Sequence, residues 1–231
     1  VSVLDETKLR SDLQTLKNRG EVEALTICFV NAYLNSDNER RAAVIAAEIF
    51  TDLPISISSD VVPEKQEYES TETTVVNSYV RPEVAKYMTN LQSALNERLG
   101  SKAQLSILRS DGGLASARAT AESPVNILMS GPAGGVAGAI YFCKQAGYDN
   151  LLTFDMGGTS TDVALVMDAV PAVSNELDVE YAMPIHVPMV DVRTIGSGGG
   201  SIASVTDAGL LKVGPESAGA TPGPVCYGRG G

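Results

Sequence analysis

Apolar residues in the first sixty positions follow two different periods. Leu9, Leu13 and Leu16 recur at helical spacing behind Asp5, a residue type that caps helix starts, and Gly20 suits the stop. Ala24–Val30, reading ALTICFV, is a short continuous apolar run of the kind found in buried strands. Asn35 or Ser36 then caps a second helix over Ala42–Phe50, and Pro54–Ile57 returns as a strand. Helix, strand, helix, strand is α/β wiring with a parallel sheet.

The pattern weakens after that. Pro63–Thr74 is polar and acid-rich and reads as a connection. A helix is expected from about Val75, broken near Pro82 and resumed through Val84, Tyr87, Met88, Leu91, Leu95 and Leu99, with Gly100 as its stop. Gln104–Leu108 reads as a strand, and Asp111-Gly112-Gly113 as the turn after it.

Composition narrows the function classes. The 231 residues carry 17 Lys and Arg against 28 Asp and Glu, a net charge of −11, which argues against nonspecific binding to nucleic acid or anionic lipid. Hydrophobic residues at 44% and charged ones at 19% indicate a folded chain with a real core. Three cysteines, Cys28, Cys143 and Cys226, form no CxxC pair and indicate neither a zinc ribbon nor a disulfide framework, so a reducing cytoplasm is the expected setting. The opening VSVLDETKLR, with no apolar core behind a basic start, does not read as a secretory leader. Ser123–Cys143 is uncharged and long enough to span a bilayer, but its prolines and glycines favour a soluble element. Eleven of the 22 glycines follow Thr194, and the chain stops among them at Gly230-Gly231. A piece of a longer polypeptide is expected.

Three glycine-bearing segments carry candidate chemistry. In the first, two apolar runs flank a Gly-Gly-Thr-Ser-Thr turn, from Leu151 through Asp155, Gly157, Gly158, Thr159, Ser160, Thr161 and Asp162 to Val166. Glycine lets backbone N–H groups approach an anion, and three hydroxyls add donors. Asp155 closes the first run, where a carboxylate can hold hydrated Mg²⁺ or orient a water. No GK[ST] and no GxGxxG lies here, so it is neither a P-loop nor a Rossmann turn. An ordinary glycine hairpin with hydroxyls facing water fits the same spacing.

The second segment, Ser130–Tyr141, reads as a helix with Pro132 in its first turn and Gly131/Gly135 and Gly134/Gly138 four apart. Glycine inside a helix costs up to ~1 kcal/mol relative to Ala, so a close helix–helix approach is the expected return. The third is Ile195–Ala203, with Gly198, Gly199 and Gly200 in succession, suited either to an anion or substrate contact or to a sharply turning linker.

Together these segments are similar to the hydantoinase A/5-oxoprolinase family, within the superfamily of actin, sugar kinases and heat-shock ATPases. The motifs occur in order: Ser110-Asp111-Gly112-Gly113, the SGPAGG start at Ser130, FDMGGTSTD at Phe154, the glycine run after Ile195, Val213–Ala220 and Pro222–Gly231. The likeness runs from about Ile55 to the end. It implies an actin-like ATPase (ribonuclease H-like) α/β fold. Residues 1–80 would end the family's amino-terminal domain, and residues 81–231 would begin its second. It implies an ATP- and Mg²⁺-dependent enzyme that opens a cyclic amide such as a hydantoin or 5-oxoproline. The alternatives are a ketone carboxylase subunit of the acetone or acetophenone type and a non-catalytic nucleotide-binding module.

Carried over by motif, Gly157, Gly158, Thr159, Ser160 and Thr161 would cradle phosphates, with Gly198, Gly199 and Gly200 as further cofactor contacts. Asp155 would be both catalytic residue and metal ligand, and Asp162 would brace the hairpin. The expected partners are the rest of the polypeptide, a hydantoinase B-type subunit and a small cyclic amide or ketone. The family's first phosphate loop is not in this sequence, and its adenosine-binding glycines would lie past Gly231. Many members read Asp-Ile-His-Thr before the glycine run, where this chain has Asp191-Val192-Arg193-Thr194. Arg193 cannot act as a proton donor or acceptor at ordinary pH but can grip an anion, which tilts the substrate toward anionic or carboxylase-type chemistry. His186, the lone histidine, is expected to be structural or at the surface, and Cys226 to be packed.

Overall fold

Asp5 caps the first helix through its side chain, which accepts from the Lys8 N–H at 3.0 Å, and Gly20 ends it in the left-handed region. The computed structural model describes residues 3–100, 103–179 and 183–231. In chain order the helices are α1 (Glu6–Arg19), α2 (Asp37–Ile49), α3 (Ser58–Val61), α4 (Glu67–Leu99), α5 (Ala117–Glu122) and α6 (Ser130–Gln145). The strands are β1 (Leu25–Ile27), β2 (Ile55–Ile57), β3 (Ser106–Leu108), β4 (Leu114–Ser116), β5 (Leu151–Met156) and β6 (Thr161–Met167). They continue as β7 (Val170–Pro171), β8 (Val173–Val179), β9 (Met183–Val190), β10 (Val192–Ile195), β11 (Ser201–Val205) and β12 (Leu211–Ser217). This is a mixed α/β architecture. No described helix is long and apolar enough to cross a membrane.

Two compact units divide the chain: Val1–Ser130 with Ser174–Met189, and Gly131–Val173 with Val190–Gly231. The boundary expected near residue 80 lies inside α4.

In the first unit β1 and β2 pair in parallel, Leu25 opposite Ile55 and Ile27 opposite Ile57, as the helix–strand alternation predicts. The strands are shorter than the apolar runs that announce them, with Ala24–Val30 giving only Leu25–Ile27. Helices α1 and α2 cover the pair through Leu13, Ile45, Ala46 and Phe50, against which Leu9, Leu16, Leu25, Ile27 and Ile55 pack. A fully buried aliphatic side chain such as Ile45 contributes ~1.5–3 kcal/mol. A second cluster joins Val125, Ile185, Val187 and Met189, with Val76 and Met129 against it.

Helix α4 corrects the sequence reading. It starts at Glu67 rather than Val75 and runs through Pro82 unbroken to Leu99. Its buried face in the first half is polar: Ser70, Thr73, Thr74, Asn77 and Ser78. These residues keep helical spacing without apolarity, so the periodicity is invisible to a hydrophobic count. Each finds a partner. Thr74 donates to the Ser70 carbonyl at 2.6 Å, Ser78 to the Thr74 carbonyl at 3.1 Å, and Asn77 accepts from the Val125 N–H at 3.2 Å. One turn on, Arg81 donates to the Ile55 carbonyl and, at 3.3 Å, to Ser56 Oγ, and its burial lowers its pKa. His186 is structural as expected. It is 8% exposed, its Nδ1 lies 2.8 Å from a Glu64 carboxylate oxygen, and its N–H donates to Thr73 Oγ1 at 2.9 Å.

The second unit is built on an antiparallel sheet in the order β10-β6-β5, with β7 also on β6, and a separate β11–β12 hairpin. Cys226 lies in a short turn over Val225–Tyr227 and is exposed, not packed. The local sequence PGPVCYG favours a turn over a buried element, and no apolar period draws the side chain inward.

Candidate functional site

The sheet of the second unit puts two carboxylates and a threonine in one row. Asp155 on β5 pairs with Asp162 on β6, which pairs with Thr194 on β10. Directly opposed residues share a face, with Cβ atoms about 5 Å apart, so the two carboxylates stand side by side. They are not equivalent. Asp162 accepts from Thr194 Oγ1 at 2.7 Å, whereas Asp155 is exposed and has no hydrogen-bond partner among the described residues.

Below that row the same face carries Thr153, Ala164 and Val192, then Leu151 and Val166. A cavity of about 490 Å³ lies between this face and α6, lined by Gly135, Val136, Ala139 and Cys143 on the helix side. Gly135 explains part of the small-residue pattern. A Cβ there would lie 3.4 Å from the Asp155 carboxylate, whereas one at Gly131 or Gly138 would meet nothing within 4 Å. At Gly131, Gly135 and Gly138 no helix–helix approach of the kind expected from the glycine spacing is found, and the Asp155 carboxylate is the one group that comes within contact distance.

Between β5 and β6 the chain turns through Gly157–Ser160, closed by the Gly157 N–H donating to the Ser160 carbonyl at 2.9 Å. Among the described residues the backbone N–H groups of Gly158, Thr159 and Ser160 have no acceptor, and the hydroxyls of Thr159 and Ser160 have no partner. Thr161 differs: it is 2% exposed and its hydroxyl donates to the Ser197 carbonyl at 2.6 Å.

The glycine run after Ile195 lies against this turn. The Gly199 N–H donates to the Gly157 carbonyl at 2.9 Å and the Gly200 N–H to the Gly158 carbonyl at 2.7 Å. The Gly198 N–H donates to Ser201 Oγ at 2.7 Å. The structure thus brings every predicted site residue into one region, but with two kinds of donor. The backbone donors of Gly158, Thr159 and Ser160 are open, and those of Gly157 and Gly198–Gly200 are engaged within the protein. Arg193 is 80% exposed and paired with its neighbour Asp191, Nε to carboxylate 3.1 Å. Ser197, Ser201 and Ser217 were absent from the sequence-level site. Ser197 and Ser201 flank the glycine run in sequence and Ser217 meets it in space, and only the packing shows what they hold.

No group of three or more His, Cys, Asp or Glu among the described residues could enclose a metal ion. A cation at Asp155 would need its other ligands from water or a bound anion, which is how Mg²⁺ is usually held.

Residues 70–231 match the family described as hydantoinase/oxoprolinase. The chain belongs to that family. It is 39% identical over its full length to caprolactamase subunit alpha of Pseudomonas jessenii and covers 33% of that protein. It is 36% identical to the 5-oxoprolinase of Saccharomyces cerevisiae, with 98% of this chain and 17% of that protein aligned. The crystal structure of ATP-dependent caprolactamase from Pseudomonas jessenii superposes with a TM-score of 0.84 at 38% identity, over the whole of this chain and 33% of that one. Nucleotide-free acetone carboxylase superposes at 0.72 with 31% identity, over 94% of this chain and 30% of that one. The chain thus spans about a third of the caprolactamase subunit it resembles.

Proposed function

We propose that this chain carries one phosphate-binding half of an ATP-dependent hydrolase that opens a cyclic amide. The observation that supports this most is the 157–160 turn, with its open N–H groups and free hydroxyls beside an unpartnered carboxylate. In an actin-like arrangement the nucleotide would be shared with parts of the longer polypeptide, and a division of residues 1–80 from 81–231 would fall within α4, which belongs to one compact unit.

An amide carbonyl is a poor electrophile, and the phosphoryl group that ATP supplies makes its carbon open to water. This chain's residues position and neutralise, which is most of what phosphoryl transfer requires. The N–H groups of Gly158, Thr159 and Ser160, with the Thr159 and Ser160 hydroxyls, would hold phosphate oxygens. Asp155 would hold Mg²⁺ through water or orient the attacking group. Asp162, tied to Thr194, would brace the hairpin, and Thr161 would join it to the neighbouring loop. Two carboxylates in register repel each other, and a divalent cation relieves that repulsion. A separate partner subunit is in keeping with relatives that are named as subunits.

The likeness to acetone carboxylase supports a second reading, ATP-driven activation of a ketone and bicarbonate. The tilt toward anionic substrates drawn from Arg193 loses weight, since that guanidinium already faces Asp191. The deciding experiment is phosphate release by the full-length protein with its partner subunit. Stimulation by hydantoin, 5-oxoproline or caprolactam supports the hydrolase, stimulation only by ketone plus bicarbonate supports the carboxylase, and no ATP turnover with either rejects both.

A further inference from the structure

The engaged donors of Gly198–Gly200 call for a different role from the one the glycine-rich sequence invites. We propose that this run is a brace that fixes the shape of the 157–160 turn and is not itself a nucleotide ligand. The word nucleotide rests on the function proposed above, but the brace rests on geometry alone.

In a planar trans peptide the C=O and N–H point in opposite directions. Gly199 holds the Gly157 carbonyl, so the Gly158 N–H must face away from the run. Gly200 holds the Gly158 carbonyl, so the Thr159 N–H must face away as well. Two successive amides pointing outward from a turn make an anion-binding concavity. The run therefore creates the cradle by taking its carbonyls.

Contact distances show why these positions are glycine. A Cβ on Gly198 would lie 2.7 Å from the Gly157 carbonyl oxygen and 2.8 Å from the Ser160 nitrogen. One on Gly200 would lie 2.9 Å from Ser217 Oγ and 3.0 Å from the Gly158 oxygen. At Gly199 the nearest atom would be 3.6 Å away, an ordinary contact. The run is itself held from behind. Gly200 accepts from the Ala218 N–H at 2.8 Å, and Gly214, at φ +66°, would drive any Cβ into the Gly196 carbonyl. Thr161 fastens the other side through Ser197. Thr161, Gly198 and Gly200 are thus positioning residues.

The test uses the full-length protein, ATP titration calorimetry, and hydrogen exchange, without nucleotide, of the Gly157, Gly199 and Gly200 amides, whose bonds close the turn and tie it to the run. Gly198→Ala is expected to weaken ATP about tenfold or more and to speed exchange in the turn, while Gly199→Ala stays within about twofold of wild type. Thr161→Val should behave like Gly198→Ala, and Thr161→Ser should restore both readouts; this pair carries the test if Gly198→Ala does not fold. Lost affinity with turn exchange unchanged would show that the run binds nucleotide itself. A loosened turn with affinity unchanged would show that the cradle is set elsewhere. Wild-type protein that binds no ATP would reject the nucleotide reading, and exchange in the Gly198→Ala turn would still decide whether the brace exists.

Discussion

Two carboxylates at strand ends separate structure from chemistry in this chain. In the first unit, Glu39 reaches from α2 to the carboxyl ends of β1 and β2 and is 0% exposed. It accepts from the Phe29 N–H at 2.7 Å, Ser58 Oγ at 2.5 Å and the Ser59 N–H at 2.9 Å. In the second unit, Asp155 ends β5 exposed and without a partner among the described residues. Glu39 has both carboxylate oxygens bonded to the segments that leave the two strand ends, so it works as a fastener. Asp155 has its capacity open, beside a turn whose donors are also open. A buried charge with every hydrogen bond made marks architecture, and an accessible one with none made marks a place for something else.

The contrast predicts opposite phenotypes. Glu39→Ala leaves three donors facing a void and should cost about 3–5 kcal/mol, read as a shift in the urea midpoint. A variant of unchanged stability that had lost turnover would reverse the assignment and make Glu39 the reactive group.

Asp155→Asn should do the converse. If the proposed function holds, ATP turnover by the full-length protein should fall at least ~100-fold, the scale of removing a catalytic charge or base. The melting midpoint should stay near that of wild type, because no described hydrogen bond is lost. Near-normal turnover would remove Asp155 from the mechanism and leave the open turn without its carboxylate.

Legibility in the sequence followed the same divide. The parallel pair β1–β2 was readable because its strands and covering helices bury aliphatic side chains in the standard periods. The hairpin at Asp155 was readable because Gly-Gly-Thr between two apolar runs leaves few alternatives. The first half of α4 was not, since its buried face is Ser70, Thr73, Thr74, Asn77 and Ser78, whose partners lie on the helix backbone and on distant segments. Nor was the use of the glycines. At Gly198 and Gly200 the sequence reports only a missing Cβ, and the carbonyl or hydroxyl that needs the space comes from residues 17 to 42 positions away.

Gly135 sharpens the comparison at lower energy. Gly135→Leu should depress turnover by about tenfold, because its side chain would enter the cavity beside β5 and the first group its Cβ meets is the Asp155 carboxylate. Gly138→Ala is the matched control on the same helix. Nothing lies within 4 Å of its Cβ, so it should gain up to ~1 kcal/mol from helix propensity. Equal effects at both positions would mean that the approach to Asp155 has no consequence.

The smallest effect is expected at Thr194, and it asks whether Asp162 belongs with Glu39 or with Asp155. Its hydroxyl donates to Asp162 at 2.7 Å, and Asp162 stands opposite Asp155 in the register of β5 and β6. Thr194→Val keeps the β-branched shape that suits a strand and removes only the donor. The bond is solvent-accessible, so the stability loss should be about 0.5–1 kcal/mol, the ordinary net contribution of one hydrogen bond. Thr194→Ser keeps a hydroxyl and should recover most of it. If Asp162 only braces the hairpin, turnover in Thr194→Val should change by no more than about threefold, because Asp155 and the turn donors are untouched. A loss approaching that of Asp155→Asn would show that Asp162 acts on the substrate or its metal ion, and that the two carboxylates in register work as a pair.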